Sequence, residues 1–452
     1  MLAELAAAVR ERRISPVKLV EEALRRIERD DPALNAVVRL RGDEALAEAA
    51  AHPCEGPLAG LPLLVKDMAR CIGMPTTFGT TLFANAEPDT IDDIVVQRLK
   101  QAGAIVVGKT NTPAFGHTAV TTNLLFGSTG NPWNPAQSPG GSSGGSAAAL
   151  AAGMVALATT SDGGGSTRGP ASACGLVGYK PTMGAIGRNV APRWLNFSTM
   201  GVAGASVADV VLHASVVLGA ARGDVLSLPT GSVSAHPVRP TRVLAVRTFR
   251  EDVDSVIEEA FDAVCALISQ ELGVPVERVE SPYPTDGVLP WFMASSAELA
   301  QSLSAYEDRW SELDDSLRFQ LGIGKTVTAS DYIAAQRLRY EQAGKVDDLL
   351  TPGTVLITPT ANSASWPRDG PMATRAGATV SSSIALNTTD LNFTGHPGVS
   401  VPLGVDEQSV PFGLQVMAPR FHDGLAMGLA AIIERAQPWP LVAPGYEPFV
   451  VL

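Results

Sequence analysis

Apolar positions in this chain recur at two spacings, and glycine and proline mark where the spacing changes. In "ISPVKLVEEALRRIERDD", Val17, Val20, Leu24 and Ile27 share one helical face, with Leu19 and Ala23 beside them. Ser15 can cap this helix and Pro16 suits its first position. "NAVVRL" then reads as a strand and is followed by an alanine-rich helix. Leu61 to Val65 is a short apolar run bounded by Gly and Pro, the pattern of a buried strand that delivers Lys66 and Asp67 at its end. "DDIVVQRLKQAG" predicts a helix, "AIVVGKT" a buried strand, and "AAALAAGMVALATT" a buried helix feeding a strand.

Past a Pro/Ser/Thr-rich connection at 220–245, "TRVLAV" restarts a strand. "DSVIEEAFDAVCALISQEL" is a long amphipathic helix and "PVERVE" a strand. Residues 284–345 read as mostly helical, with exposed-looking Trp291, Phe292, Tyr306, Trp310 and Phe319. "GTVLITPT" is another strand, "GHPGVSVPLG" and "FGLQVMAP" a strand pair, and "DGLAMGLAAIIER" a closing helix. This alternation predicts one large α/β domain over 1–452. Its mixed, mostly parallel, twisted central sheet would be covered by helices on both faces.

Composition narrows the partners. Of 452 residues, 45% are hydrophobic and 18% charged, ample for a large core. The net charge of −12, with no Lys/Arg block, disfavours nucleic acid and anionic membrane. Cys54, Cys71, Cys174 and Cys265 show neither paired nor metal-ligand spacing, which points to a reducing compartment and no metal. With no uninterrupted apolar stretch at the N-terminus and no membrane-length run, the expected location is cytoplasmic.

Three glycine-bearing stretches are candidate sites. "GAIVVGKT", residues 103–110, matches the phosphate-loop pattern, but its middle residues belong in a strand and Pro113 stops any helix; it reads as a buried strand with its exit turn. "SPGGSSGGSAAAL" sets four glycines around Ser142 and Ser143, which permits close backbone approach. In "SDGGGSTRGP", Ser166 follows three glycines, so the N–H groups of Gly163, Gly164, Gly165 and Ser166 can converge on an oxyanion. A serine nucleophile needs a base. No G-x-S-x-G elbow accompanies the six histidines, and His117 and His396 are weak loop candidates. A lysine is the other option, because burial favours its neutral amine, and Lys66 at the end of an apolar strand is the natural choice.

Taken together, "GLPLLVKDM", "GKTNTPAFGHT", the run from "LFGSTGNPW" to "GLVGYKPT", and "HPGVSVPLG…PFGLQVMAP" resemble the amidase signature family. The core of the likeness covers about 60–205. The resemblance implies a Ser–Ser–Lys triad: Ser166 as nucleophile, Lys66 as base, and Ser142 as the bridge, preceded by a cis peptide. Ser143 is the rival bridge, at a less fitting offset. Asp162 and Arg168 would hold the loop. Thr118 to Asn123 and "GSTGNPW" would line or support the site, and no cofactor is implied.

The chain departs from the family pattern at three places. Ala114 stands where an acidic residue is common, Gly163 where a larger apolar one is usual, and "NVAPRWLNFSTMGVAGAS" brings Arg193, Trp194, Asn196 and Phe197 into a Ser/Pro-rich stretch. An altered pocket follows, with Ser143, Thr118, Trp194 and Phe197 as candidate substrate contacts and 284–345 as a variable lid. Ala385 near the offset of a glutamine-binding acid, and Asp390 placed too late, argue against glutamine. The expected function is hydrolysis of small apolar aryl or aliphatic amides, extending to carbamates and esters, by a monomer or homodimer. The alternatives are an amide-transferring subunit of a tRNA-dependent amidotransferase and a non-catalytic scaffold.

Overall fold

A computed structural model describes residues 1–250, 253–283, 288–372 and 386–449. Among these residues eleven strands build one sheet: β1 (Val37–Leu40), β2 (Pro62–Lys66), β3 (Ile105–Thr110), β4 (Leu157–Asp162), β5 (Val177–Lys180), β6 (Thr199–Gly204), β7 (Arg242–Ala245), β8 (Val276–Arg278), β9 (Thr354–Pro359), β10 (Gly398–Val405) and β11 (Pro411–Met417). Their order is β1-β3-β2-β4-β6-β5-β10-β11-β9-β7-β8. The expected large α/β domain with a mixed sheet is present.

The share of parallel pairing is lower than the helix–strand alternation implied. Parallel ladders join β2 to β3 and β4, and β7 to β8 and β9. Between β4 and β9 every ladder is antiparallel. A helical crossover returns a strand parallel, as the helix Ile94–Gln101 does between β2 and β3. The chain from β5 to β6 and the turn from β10 to β11 carry no helix, so those strands return antiparallel.

Each local reading has a physical counterpart. Ser15 caps the helix Pro16–Leu34, its Oγ accepting from Lys18 N at 3.2 Å. The helix Gly144–Ala151 is buried along its whole length, packed against β1 to β4. Small residues are required there: a Cβ on Gly145 would lie 2.5 Å from Asn111 N. The "GAIVVGKT" stretch is strand β3, and Lys109 is buried against Ala69 O (2.6 Å) and Thr76 Oγ1 (2.7 Å).

The stretch 284–345 begins outside the described residues and then forms the helices Val288–Ser302 and Asp315–Thr326 and the start of Ala329–Leu349. Its aromatics are mostly not exposed, contrary to the sequence reading. Trp291 is buried, Phe292, Tyr306 and Trp310 are half-buried, and Phe319 alone of the five is 67% exposed. The reason is a second apolar cluster, in which Trp291, Leu299, Leu317 and Leu321 meet Phe115, Trp194 and Phe197 from the main body. No helix among the described residues is long and apolar enough to cross a membrane.

Candidate active site

Parallel pairing sets the ends of β2 and β4 on the same edge of the sheet, which brings Lys66 beside the loop that follows Asp162. Lys66 is buried, and its Nζ lies 2.7 Å from Ser142 Oγ, 2.9 Å from Ser143 Oγ and 3.0 Å from Ser161 Oγ. Its polar surroundings are hydroxyls. Burial lowers its pKa to about 7, against an opposing pull from the charge of Asp162. The peptide Gly141–Ser142 is cis. The N–H of Ser143 donates to Ser166 O at 3.2 Å, tying the two serine-bearing loops together. Lys66, Ser142, Ser161 and Ser166 all open onto one cavity of about 390 Å³.

The loop from 162 to 168 is pinned from several sides. Asp162 O accepts from Asn392 Nδ2 at 2.8 Å and Gly163 O from Trp291 Nε1 at 3.2 Å. Gly164 O accepts from Thr388 Oγ1 (2.7 Å) and Thr389 Oγ1 (3.0 Å), and Gly165 O from Gly169 N at 2.7 Å. In a trans peptide the N–H points opposite to the C=O. Pinning the carbonyls therefore aims the following N–H groups away from their anchors. The N–H groups of Gly163, Gly164 and Ser166 have no internal partner among the described residues. That of Gly165 does, which corrects the four-donor reading: it donates to Asp162 Oδ1 at 2.8 Å. Gly165 is also the residue with φ +125°, where a Cβ would lie 2.0 Å from Thr388 Oγ1.

Asp162 and Arg168 hold this loop. The Arg168 guanidinium is fully buried and reaches Asp162 Oδ1 (2.8 Å) and Oδ2 (3.0 Å), Asn392 Oδ1 (2.6 Å), Gln415 Oε1 (2.7 Å) and Thr388 O (2.9 Å). Burial alone would raise the Asp162 carboxyl; the Arg168 charge and hydrogen bonds, with Lys180 and Asn392, outweigh it and hold it at about 2.

Gly163 admits a neighbour where a side chain would stand. A Cβ there would meet Trp194 Cε3 at 2.5 Å, and one on Gly164 would meet Trp291 Cζ2 at 2.9 Å. The two indoles meet edge to face, centroids 5.6 Å apart. Two tryptophans thus brace the glycine loop.

The candidate substrate contacts divide. Trp194 lines the cavity. Thr118 borders a small recess beside Gly164 and Ser166, with its hydroxyl given to Val120 O at 2.8 Å. Ser143 is a correction: it is buried behind Lys66, between that amine and Ser161. Phe197 is another: it is fully buried, stacked on Phe393 at 6.0 Å, so core packing claims it. His117 is bonded to Ala114 O and Ser316 Oγ, and His396 to Thr394 and Asp347. Ser161, Phe78, Phe115 and Arg188 reach the cavity without having been singled out, and Arg193, named among the residues that alter the pocket, reaches it too. Period-two alternation in β4 signals Ser161, since Thr159 on the same face also meets Lys66, its Oγ1 accepting from the Lys66 backbone N–H at 2.8 Å.

A family model described as Amidase matches residues 18–427. The chain belongs to the amidase family. It is 32% identical to an acylamidase of Rhodococcus erythropolis, over 96% of this chain and 95% of that one. It is 31% identical to a glutamyl-tRNA(Gln) amidotransferase subunit of Nostoc sp., over 95% of this chain and 96% of that one. Among solved structures, a bacterial aryl acylamidase of the amidase signature family superposes with a TM-score of 0.88 at 28% identity, covering 97% of this chain and 96% of that one. The chain is an amidase-family hydrolase.

Proposed function

We propose that this amidase hydrolyses small amides with an apolar aryl or aliphatic body, through an acyl-enzyme on Ser166. The observation that carries the reading is Lys66: a buried amine held near neutrality and surrounded by hydroxyls. A neutral amine there can accept a proton, which an ion-paired lysine cannot. Lys66 takes the proton of Ser142 as Ser142 takes that of Ser166. Ser166 Oγ then bonds to the substrate carbonyl carbon, and the N–H groups of Gly163, Gly164 and Ser166 receive the developing oxyanion. The proton returns through Ser142 to the leaving nitrogen, the C–N bond breaks, and water releases the acid by the reverse relay. Ser143 and Ser161 position the Lys66 amine.

Met68, Phe78, Phe115 and Trp194 on the cavity wall favour an apolar substrate body, and an aromatic or aliphatic amide, carbamate or ester fits this wall. The likeness to acylamidases supports the same reading. The test is turnover of p-nitroanilides, aryl carbamates and p-nitrophenyl esters by the native chain and by Ser166→Ala. Retained anilide hydrolysis in Ser166→Ala refutes the mechanism.

A second reading, as one component of an amidotransferase complex, draws on the comparable likeness to the glutamyl-tRNA(Gln) amidotransferase proteins. Asp390 is buried in an ion pair with Arg250, so it is not available to a glutamine ammonium, and Ala385 lies outside the described residues. Glutaminase activity that appears only with partner subunits would favour this second reading.

A further inference from the structure

The cavity beside Ser166 holds positive charge that the hydrolysis above does not use. Arg188 and Arg193 both line it. Neither forms an ion pair among the described residues. Arg188 Nη2 donates to Ser198 Oγ at 3.2 Å. Arg193 Nη1 reaches Ser302 O only at 3.4 Å, and its Nε is buried with no partner. The Arg193 guanidinium lies over the rings of Phe78 (4.6 Å) and Phe115 (5.0 Å). Those faces hold the group in place, but they leave its in-plane N–H groups free to donate.

Two carboxyls share the cavity, Asp93 and Glu298. Glu298 is occupied by Tyr332 OH (2.7 Å) and Asn196 Nδ2 (3.2 Å), and Asp93 accepts from Arg70 N at 3.1 Å. Burial pushes both carboxyls up, toward their neutral forms. Burial also lowers Arg188, to about 10, which leaves it charged at neutral pH. Arg70 also lines the cavity, so three guanidinium groups face two carboxyls and the formal balance is positive. Arg193 Nη2 donates to no group among the described residues, and a carboxylate is the anion whose two oxygens match a guanidinium fork.

We infer that the substrate carries a carboxylate, gripped by Arg193 with Arg188 beside it, at the end of the molecule away from the scissile amide. The inference rests on the reading of this cavity as the amide site. The apolar wall holds the hydrocarbon between the two ends. Neither arginine takes part in the acyl-transfer steps, so the feature is one of specificity and not of the shared chemistry.

The test uses matched probes of similar size: N-phenylsuccinamate, which is anionic, and butyranilide, which is neutral. Calorimetry on the Ser166→Ala protein measures binding of each without turnover. The anion should bind roughly tenfold or more tighter, the scale of a charge-assisted hydrogen bond. Arg193→Met should bring the ratio of the two affinities close to one, and Arg193→Lys, which keeps the charge on a folded chain, should retain part of it. A ratio near one in the parent, or a ratio unchanged in Arg193→Met, overturns the inference. Failure of the hydrolase reading shows separately, as absence of Ser166-dependent turnover of either anilide by the native chain. The affinity ratio still decides the charge question in that case.

Discussion

Replacing Trp291 by Phe keeps an aromatic ring and removes the indole N–H that donates to Gly163 O at 3.2 Å, together with the distal ring atoms that touch Gly164. That carbonyl belongs to the peptide whose N–H, on Gly164, faces the proposed oxyanion. Direct loss of one oxyanion donor costs about 10²–10³ in kcat. Trp291 acts one bond removed, so the floor is the net worth of a hydrogen bond, about 1 kcal/mol or roughly fivefold. The expected result is a kcat lowered about 5- to 100-fold on an anilide substrate, with KM within about twofold, because the donor acts on the transition state and not on the bound amide. Steady-state kinetics across pH should show the profile unmoved, since Lys66 keeps its neighbours. A lowered melting temperature with unchanged kcat, or an effect confined to KM, would refute the argument and leave Trp291 a packing residue.

Gly163→Ala should lower kcat by displacing the loop against Trp194, and Gly163→Ala combined with Trp194→Ala should lose less than the two single changes together; additivity in that double-mutant cycle would contradict the packing argument. With Lys66 lowered to about 7 by burial, kcat/KM should rise as pH increases through about 7, because only the neutral amine accepts a proton; a profile flat from pH 6 to 8 would count against it. The same shift has a stability sign. The unfolded chain binds the Lys66 proton more tightly than the folded one between about pH 7 and 10, so this residue's contribution to stability increases with pH in that window and is lowest below about 7. Lys66→Met should abolish turnover and hold or raise the thermal midpoint near pH 7. Arg168→Met should destabilise by about 3–5 kcal/mol, because it leaves the Asp162 carboxylate buried without its cation. Denaturant unfolding measures this directly, and a loss under about 1 kcal/mol would mean the loop holds without the pair.

Much of the framework is a local property of the chain. Apolar runs such as Leu61–Val65 fit buried strands, and the glycines around Ser142 and before Ser166 are there because backbone must approach closely. The grouping of Lys66, Ser142 and Ser166 was open to reading for that reason, together with the ordered motifs that resemble the family. Strand direction was not, since hydropathy is the same whichever way a buried strand runs, and the antiparallel centre of the sheet emerged only from the ladders. The same limit applies at the site. Which N–H groups stay free depends on what pins the carbonyls, and the anchors are distant: Trp291 lies 128 residues from Gly163, and Asn392 lies 230 from Asp162. Nothing in the local pattern distinguishes Gly165, whose N–H folds back on Asp162, from Gly164, whose N–H stays free. Burial decided the roles of Ser143 and Phe197 in the same way, turning two expected substrate contacts into a support for Lys66 and a piece of core. Motif order names the candidate reacting groups, and long-range packing decides how they are held.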